Sequence, residues 1–363
     1  MKIVGSTNMK LKIYQLSYIL LLGIVLTITL QVFIGKPVLY NLRQGYWKDS
    51  SIKLHNGIFT NQLPEGTTWE SLGANTTNLR VGVVFFAELL HRVSHKSIFS
   101  IYYWIDNIAL VLNFILIFIV LSFVVNVEWA LIGSLFFYFC QITTYFNHYF
   151  HPWDRISLSF WILLLGLIYK STHHNLNRII FLVFLMGLFV KYDLIIISGV
   201  VTLFFMFTQP RTKKVFLGPV MFIVGFTSLL IFTKFRPGGD PLSLTTLSIY
   251  NPVIRLVING NISYIKQYGF SYPPFLVFIF PLLGGLLGFK KMEVFSKACF
   301  IIGALALPCY FMTSWFHETR AEMPLLLLLL PGSLEFYQRL FSTSILKQQV
   351  INRQTKQRRE TLK

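Results

Sequence analysis

Four residues able to do acid, base or anion chemistry, His148, His151, Asp154 and Arg155, crowd together at the head of an apolar run in YFNHYFHPWDRISLSFWILLLGLIY. A second such group, His317, Glu318, Arg320 and Glu322, precedes another run in SWFHETRAEMPLLLLLL. A third, Lys191 and Asp193 of KYD, divides two apolar runs. Asp49, Glu65, Glu70 and Glu88 follow the first apolar run. Guanidinium and imidazole groups can hold a phosphate. A carboxylate placed against a substrate hydroxyl can take its proton. Ionisable groups beside long apolar runs are costly unless paired or facing water, so each group needs a reason.

Each group also has a plainer explanation. Pro152 suits the first turn of a helix, and Asp154 then lies where the helix dipole favours an anion. That accounts for Asp154 but not for Arg155, because a cation is disfavoured there. Trp153 fits an interfacial aromatic belt. His148, His151 and Asp154 are spaced three apart and could share a face as metal ligands. Pro152 interrupts that face and no fourth ligand is evident, so phosphate contact by Arg155 and a histidine is the stronger reading; a divalent metal stays open. Glu318 and Arg320 are not at a helical contact spacing, which disfavours a local salt bridge. They read as anion or sugar recognition, or as a solvated rim. Lys191 and Asp193 either neutralise a partner across a cavity or mark two helix ends reaching the interface.

The elements that must position these groups are long and apolar. Of 363 residues 54% are hydrophobic and only 13% charged, with a mean hydropathy of +0.61. Runs of about 18 or more apolar residues recur, each long enough to cross a bilayer. They do not alternate with the period of two of a barrel. The expected fold is an all-α, polytopic transmembrane bundle of about ten spans (nine to eleven), at 14–34, 100–125, 129–146, 155–170, 178–190, 194–209, 215–234, 273–289, 296–315 and 323–341. The first run is too long for a cleaved signal peptide and reads as a retained span.

Charge orients the bundle. The formal net charge of +18 suggests nucleic acid less than it does membrane orientation. KSTHHNLNR, QPRTKK, FKKMEVFSK and the tail all fall on one side when residues 178–209 form two short helices, so both termini are expected in the cytoplasm. Residues 1–341 then form a single transmembrane domain with outer loops 35–99 and 235–272, followed by a basic cytoplasmic tail, 342–363. Every unexplained acid and its basic neighbours lie outside, with Lys191 and Asp193 near that surface. Residues 79–93 read as an interfacial helix with Val81, Val84, Phe85 and Leu89 on one stripe, and SIYNPVIRLVINGNISYIKQYG as further interfacial helix. Gly284 and Gly288, four apart, signal close helix packing. Asn75 and Asn261 begin N-x-S/T triplets. Cys140, Cys299 and Cys309 fit no disulfide or metal spacing. Walker, dinucleotide, HExxH and GxSxG motifs are absent.

In layout the chain resembles the C-type (GT-C) membrane glycosyltransferases of the small bacterial polysaccharide-biosynthesis kind. A first span is followed by a long outer loop with an acid, Asp49, and by the Arg-then-apolar stretch NLRVGVVFFAELL, which includes Arg80. HPWDR and HETRAEMP then precede apolar spans. The resemblance implies a polyprenyl-phosphate-linked sugar donor, inverting transfer and an acidic base, carried over to Asp49. Better-known members have paired acids in that loop; here Asp49 stands alone, and Glu65 and Glu70 remain alternatives. The candidate catalytic residues are Asp49, Asp154 and Glu318. The candidate substrate-binding residues are Arg80, His148, His151, Arg155, Lys191, Asp193, His317 and Arg320. Polysaccharide polymerase or ligase, and transporter or flippase of lipid-linked or anionic substrates, are the rival readings. A bacterial inner membrane is the expected location.

Overall fold

The computed structural model describes residues 13–33, 81–146, 152–172, 174–235, 252–269, 273–313 and 323–342, with parts of 53–59. Among these every regular element is helical. The helices are α1 (Ile13–Phe33), α2 (Val81–Ser94), α3 (Ile98–Leu121), α4 (Val127–Phe146), α5 (Pro152–Lys170), α6 (Asn177–Val190), α7 (Ile197–Thr208), α8 (Leu217–Phe235), α9 (Pro252–Tyr268), α10 (Pro273–Gly288) and α11 (Val294–Thr313). A further helix, α12, covers 323–342. Helix is present at each of the ten apolar segments named above. Among the described residues three stretches, Ile98–Leu121, Lys213–Ile231 and Val294–Met312, are long and apolar enough on their own to cross a membrane.

α3 organises the middle of the bundle and packs against α1, α2, α4 and α5. Its buried residues recur with the helical period from Ile98 through Tyr102, Asp106, Asn113 and Phe114 to Leu121. Trp104, Ile108 and Leu112, four apart, form its exposed apolar stripe. The core is continuous across Phe114, Trp161, Phe184, Phe205, Phe295 and the six leucines 325–330, all at most 1% exposed. Hydrogen bonds bring several connections to one end. Tyr169 Oη donates to Phe123 O, Asn126 N–H to Gln338 Oε1, Arg339 to Lys291 O and Lys214 Nζ to Ser171 O. The heads of α5 and α12 therefore point toward the other end.

Residues 178–209 form two helices. α6 stops at Lys191, which is extended (φ −161°, ψ 129°), and a 3₁₀ turn, Tyr192–Ile196, leads into α7. Gly187 permits this fold-back: a Cβ there would lie 2.6 Å from Leu194 Cδ2 and 3.3 Å from Phe160 Cβ. The close packing expected at Gly284 and Gly288 is present. A Cβ at either would lie 2.5 Å from Tyr337 Cε2 or 2.7 Å from Phe336 Cβ of α12.

One expectation is corrected. Val84 is buried while Phe85 and Leu89 are exposed, so the proposed single stripe of α2 is split between two environments. Asn261 is fully buried in α9, its Nδ2 donating to Phe311 O at 2.8 Å, so its triplet is a packing feature. Cys140 and Cys299 are buried thiols and Cys309 an exposed one.

Gly187→Val forces Leu194 and Phe160 apart, and the expected loss is about 1–3 kcal/mol of stability. Thermal unfolding in detergent, with Met186→Val on the neighbouring exposed position as the control, measures it.

Candidate functional site

Four of the buried charged residues, Asp106, Asp154, Arg155 and Lys191, gather where α3, α5 and the α6–α7 break meet, while Glu335 is buried at the opposite end, paired with Arg339. Arg155, in the first turn of α5, donates through Nη1 to Asp106 Oδ2 of α3 at 2.6 Å. Both residues are buried, at 6% and 4% exposure. The carboxylate of α3 explains the cation that the helix dipole leaves unexplained. The adjacent Asp154 lies 3.3 Å from Lys191 Nζ, and Lys191 lies 3.0 Å from Asp193 Oδ2. Trp161 Nε1–H donates to the other oxygen of Asp193 at 3.4 Å.

The polar seam continues inward. Asn113, two turns beyond Asp106 on the same face of α3, donates to Gln141 Oε1 of α4 and to Arg155 O, both at 2.9 Å. It accepts from Ser159 Oγ at 2.7 Å. Three helices are thus joined through one amide, and the main chain of the Arg155 turn is fixed from below as its guanidinium is from the side.

One turn nearer the head of α3, Tyr102 Oη lies 2.8 Å from His55 Nδ1. His55 Nε2 lies 2.9 Å from Glu88 Oε2 of α2, and Glu88 also accepts from Arg92 Nε at 2.6 Å. A neutral imidazole donating to Glu88 and accepting from Tyr102 satisfies every partner. The ring is 3% exposed and packs edge-on to Tyr102 and against Phe59. Burial pushes the His55 pKa below its ordinary 6.5, although Glu88 pulls the other way. Hydrogen bonds from His55 and Arg92 hold the Glu88 carboxyl below its ordinary 4.5. Through His55 the segment that follows the first helix is tied to α2 and α3.

Of the candidate residues, Asp154, Arg155, Lys191 and Asp193 are brought together. Asp49, Arg80, His148, His151, His317, Glu318 and Arg320 lie outside the described residues, as do Glu65, Glu70 and Glu322. Of Lys191 and Asp193, expected near the surface, Lys191 is buried and Asp193 half-buried, and Lys191 pairs with both Asp193 and Asp154. Trp153, expected in an interfacial belt, is 2% exposed and packs within the cluster of Val83, Ile101, Ile105 and Val190. Asp106 was legible as an acid inside the apolar run IYYWIDNIAL, the same signal that singled out KYD. Asn113, Gln141 and His55 carry no such signal, since their roles depend on which helices meet.

The arrangement pairs its charges internally: among the described groups two cations, Arg155 and Lys191, face three carboxylates, Asp106, Asp154 and Asp193, so no positive charge is in excess. No three described His, Cys, Asp or Glu side chains are placed to hold one metal ion. No family model matches the chain, and no curated protein and no solved structure matches it.

Two outcomes follow. Asp106→Asn leaves the buried Arg155 charge without its carboxylate, at an expected cost of about 3–5 kcal/mol. The Asp106→Leu/Arg155→Met double variant loses less than either single change; a double-mutant cycle of unfolding midpoints checks this. For His55, the unfolded chain binds its proton more readily than the folded one. This contribution to stability is therefore full above pH 6.5 and is lost as pH falls below it. Thermal unfolding from pH 8 to 5 should show that decline in wild type and a flatter profile in His55→Asn.

Proposed function

We propose that the chain is a multi-pass membrane glycosyltransferase of GT-C-like layout, with about ten crossings and both termini in the cytoplasm. In this reading it takes a sugar from a polyprenyl-phosphate carrier at the extracytoplasmic face of a bacterial inner membrane, in polysaccharide or glycolipid synthesis. One observation carries it. Tyr102 and Asp106, one turn apart on a single face of α3, hold His55 of the long loop and Arg155 of α5. The loop that contains Asp49 is thereby anchored six residues later beside the Asp154–Arg155 and Lys191–Asp193 groups. The opposite end, where Lys170, Lys214, Lys290, Lys291 and Arg339 collect, has the charge of a cytoplasmic face.

In this mechanism Asp49, or Glu65 or Glu70 of the same loop, takes the proton from the acceptor hydroxyl. Asp154 is committed to Lys191 and serves to position it. The leaving phosphate is met by cations at the same end, among which Arg80, His148, His151, His317 and Arg320 are candidates. Arg155 and Lys191 stay paired with Asp106, Asp154 and Asp193 and hold the helices that surround it.

A second reading, transport or flipping of lipid-linked or anionic substrates, is favoured by the α6–α7 break at Lys191 and by Asp106 lying well inside α3. Purified protein reconstituted with candidate polyprenyl-phosphate sugars and glycan acceptors separates the two. Transfer predicts release of polyprenyl phosphate, reduced about 10²-fold or more in Asp49→Asn. Movement of intact donor across the bilayer with no release in any donor–acceptor pair supports the second reading and removes the first.

A further inference from the structure

α2 has a surface that the buried cluster leaves unused. Wound at about 100° per residue, its side chains fall into three sectors. Val83, Val84 and Ala87 are buried against the bundle. Glu88 and Arg92 form a polar edge. Phe85, Phe86, Leu89 and Val93 form the third sector and are between 46% and 72% exposed. A helix with one apolar face in protein and another left open is suited to lie at the membrane boundary, with the open face in acyl chains. Trp104 of α3, 61% exposed, is a side chain typical of that boundary.

The stripe runs into a basic turn: His91, Arg92, His95 and Lys96. The turn is ordered. His95 has φ +54° and donates its N–H to His91 O at 2.9 Å. His91 Nδ1 donates to Lys96 O at 2.6 Å, and Ser94 Oγ to Leu90 O at 2.6 Å. The carbonyl end of α2 favours cations here. Among the described residues the His95 and Lys96 side chains have no hydrogen-bond or ionic partner, and the nearby acid, Glu88, is already held by His55 and Arg92. This turn lies at the end of the bundle opposite Lys170, Lys214, Lys290, Lys291 and Arg339, so the positive charge that orients the spans does not account for it.

We propose that α2 and its following turn seat an anionic phospholipid, with an acyl chain along Phe85, Leu89 and Val93 and the phosphate at Arg92, His95 and Lys96. The inference rests on the membrane-crossing reading of the bundle and is independent of sugar transfer. The test is native mass spectrometry of the full chain from nanodiscs containing phosphatidylglycerol and phosphatidylcholine. His95→Asn/Lys96→Gln breaks no described side-chain contact, and Asn tolerates the left-handed backbone of position 95. The variant should bind phosphatidylglycerol about tenfold more weakly than wild type. Adding Lys290→Gln/Lys291→Gln to each protein, at the opposite end, should leave that difference intact, and glycerol phosphate should not displace the lipid. Equal retention by wild type and variant overturns the proposal, as does equal retention of phosphatidylcholine at the site. Displacement by glycerol phosphate alone would make it a free-phosphate site and overturn it too.

Discussion

Charges can be buried among apolar helices only if each has its counter-charge at hand, and that constraint governs this molecule. Arg155 enters the interior with Asp106 at 2.6 Å, and Lys191 with Asp154 and Asp193 at 3.3 and 3.0 Å. Desolvating these groups offsets much of their attraction, so their gain lies in fixing a unique arrangement. Arg155 commits the head of α5 to α3. Lys191 commits the α6–α7 break to that same head. Asn113 then locks α4 to both through one amide.

This explains why the bundle has two unlike ends. At one end the cations belong to connections, and their hydrogen bonds run mostly to backbone carbonyls such as Ser171 O, Lys290 O and Lys291 O, with Arg339 also paired to Glu335. At the other end they face carboxylates, and His55 ties its segment to α2 and α3 beside them.

The helices were largely legible because apolar run length is a local property: the break at Lys191 follows from KYD, and the close approach of α10 and α12 from Gly284 and Gly288. What the sequence hid was partnership. Lys191 and Asp193 read either as groups facing a partner or as helix ends at the interface, because nothing local shows Asp154 opposite them. Trp153 read as an interfacial residue because its neighbours, Val83 and Ile101, are far away in sequence. Asp106 was visible as an acid in an apolar run, but only the crossing of α3 and α5 supplies Arg155. His55 sits in an ordinary polar loop, and its importance comes from Tyr102 and Glu88, 47 and 33 residues away.

The account stands on the two ends of the bundle facing opposite sides of a membrane. The exposed Lys96 of the α2–α3 turn and Lys213 of the α7–α8 turn mark those ends. Single cysteines at these positions, in a chain with Cys309 replaced by Ser, can be labelled with a membrane-impermeant maleimide in intact cells and again after permeabilisation. The account predicts labelling of Lys96→Cys in intact cells and of Lys213→Cys only after permeabilisation. Labelling of both positions from the same side would contradict it.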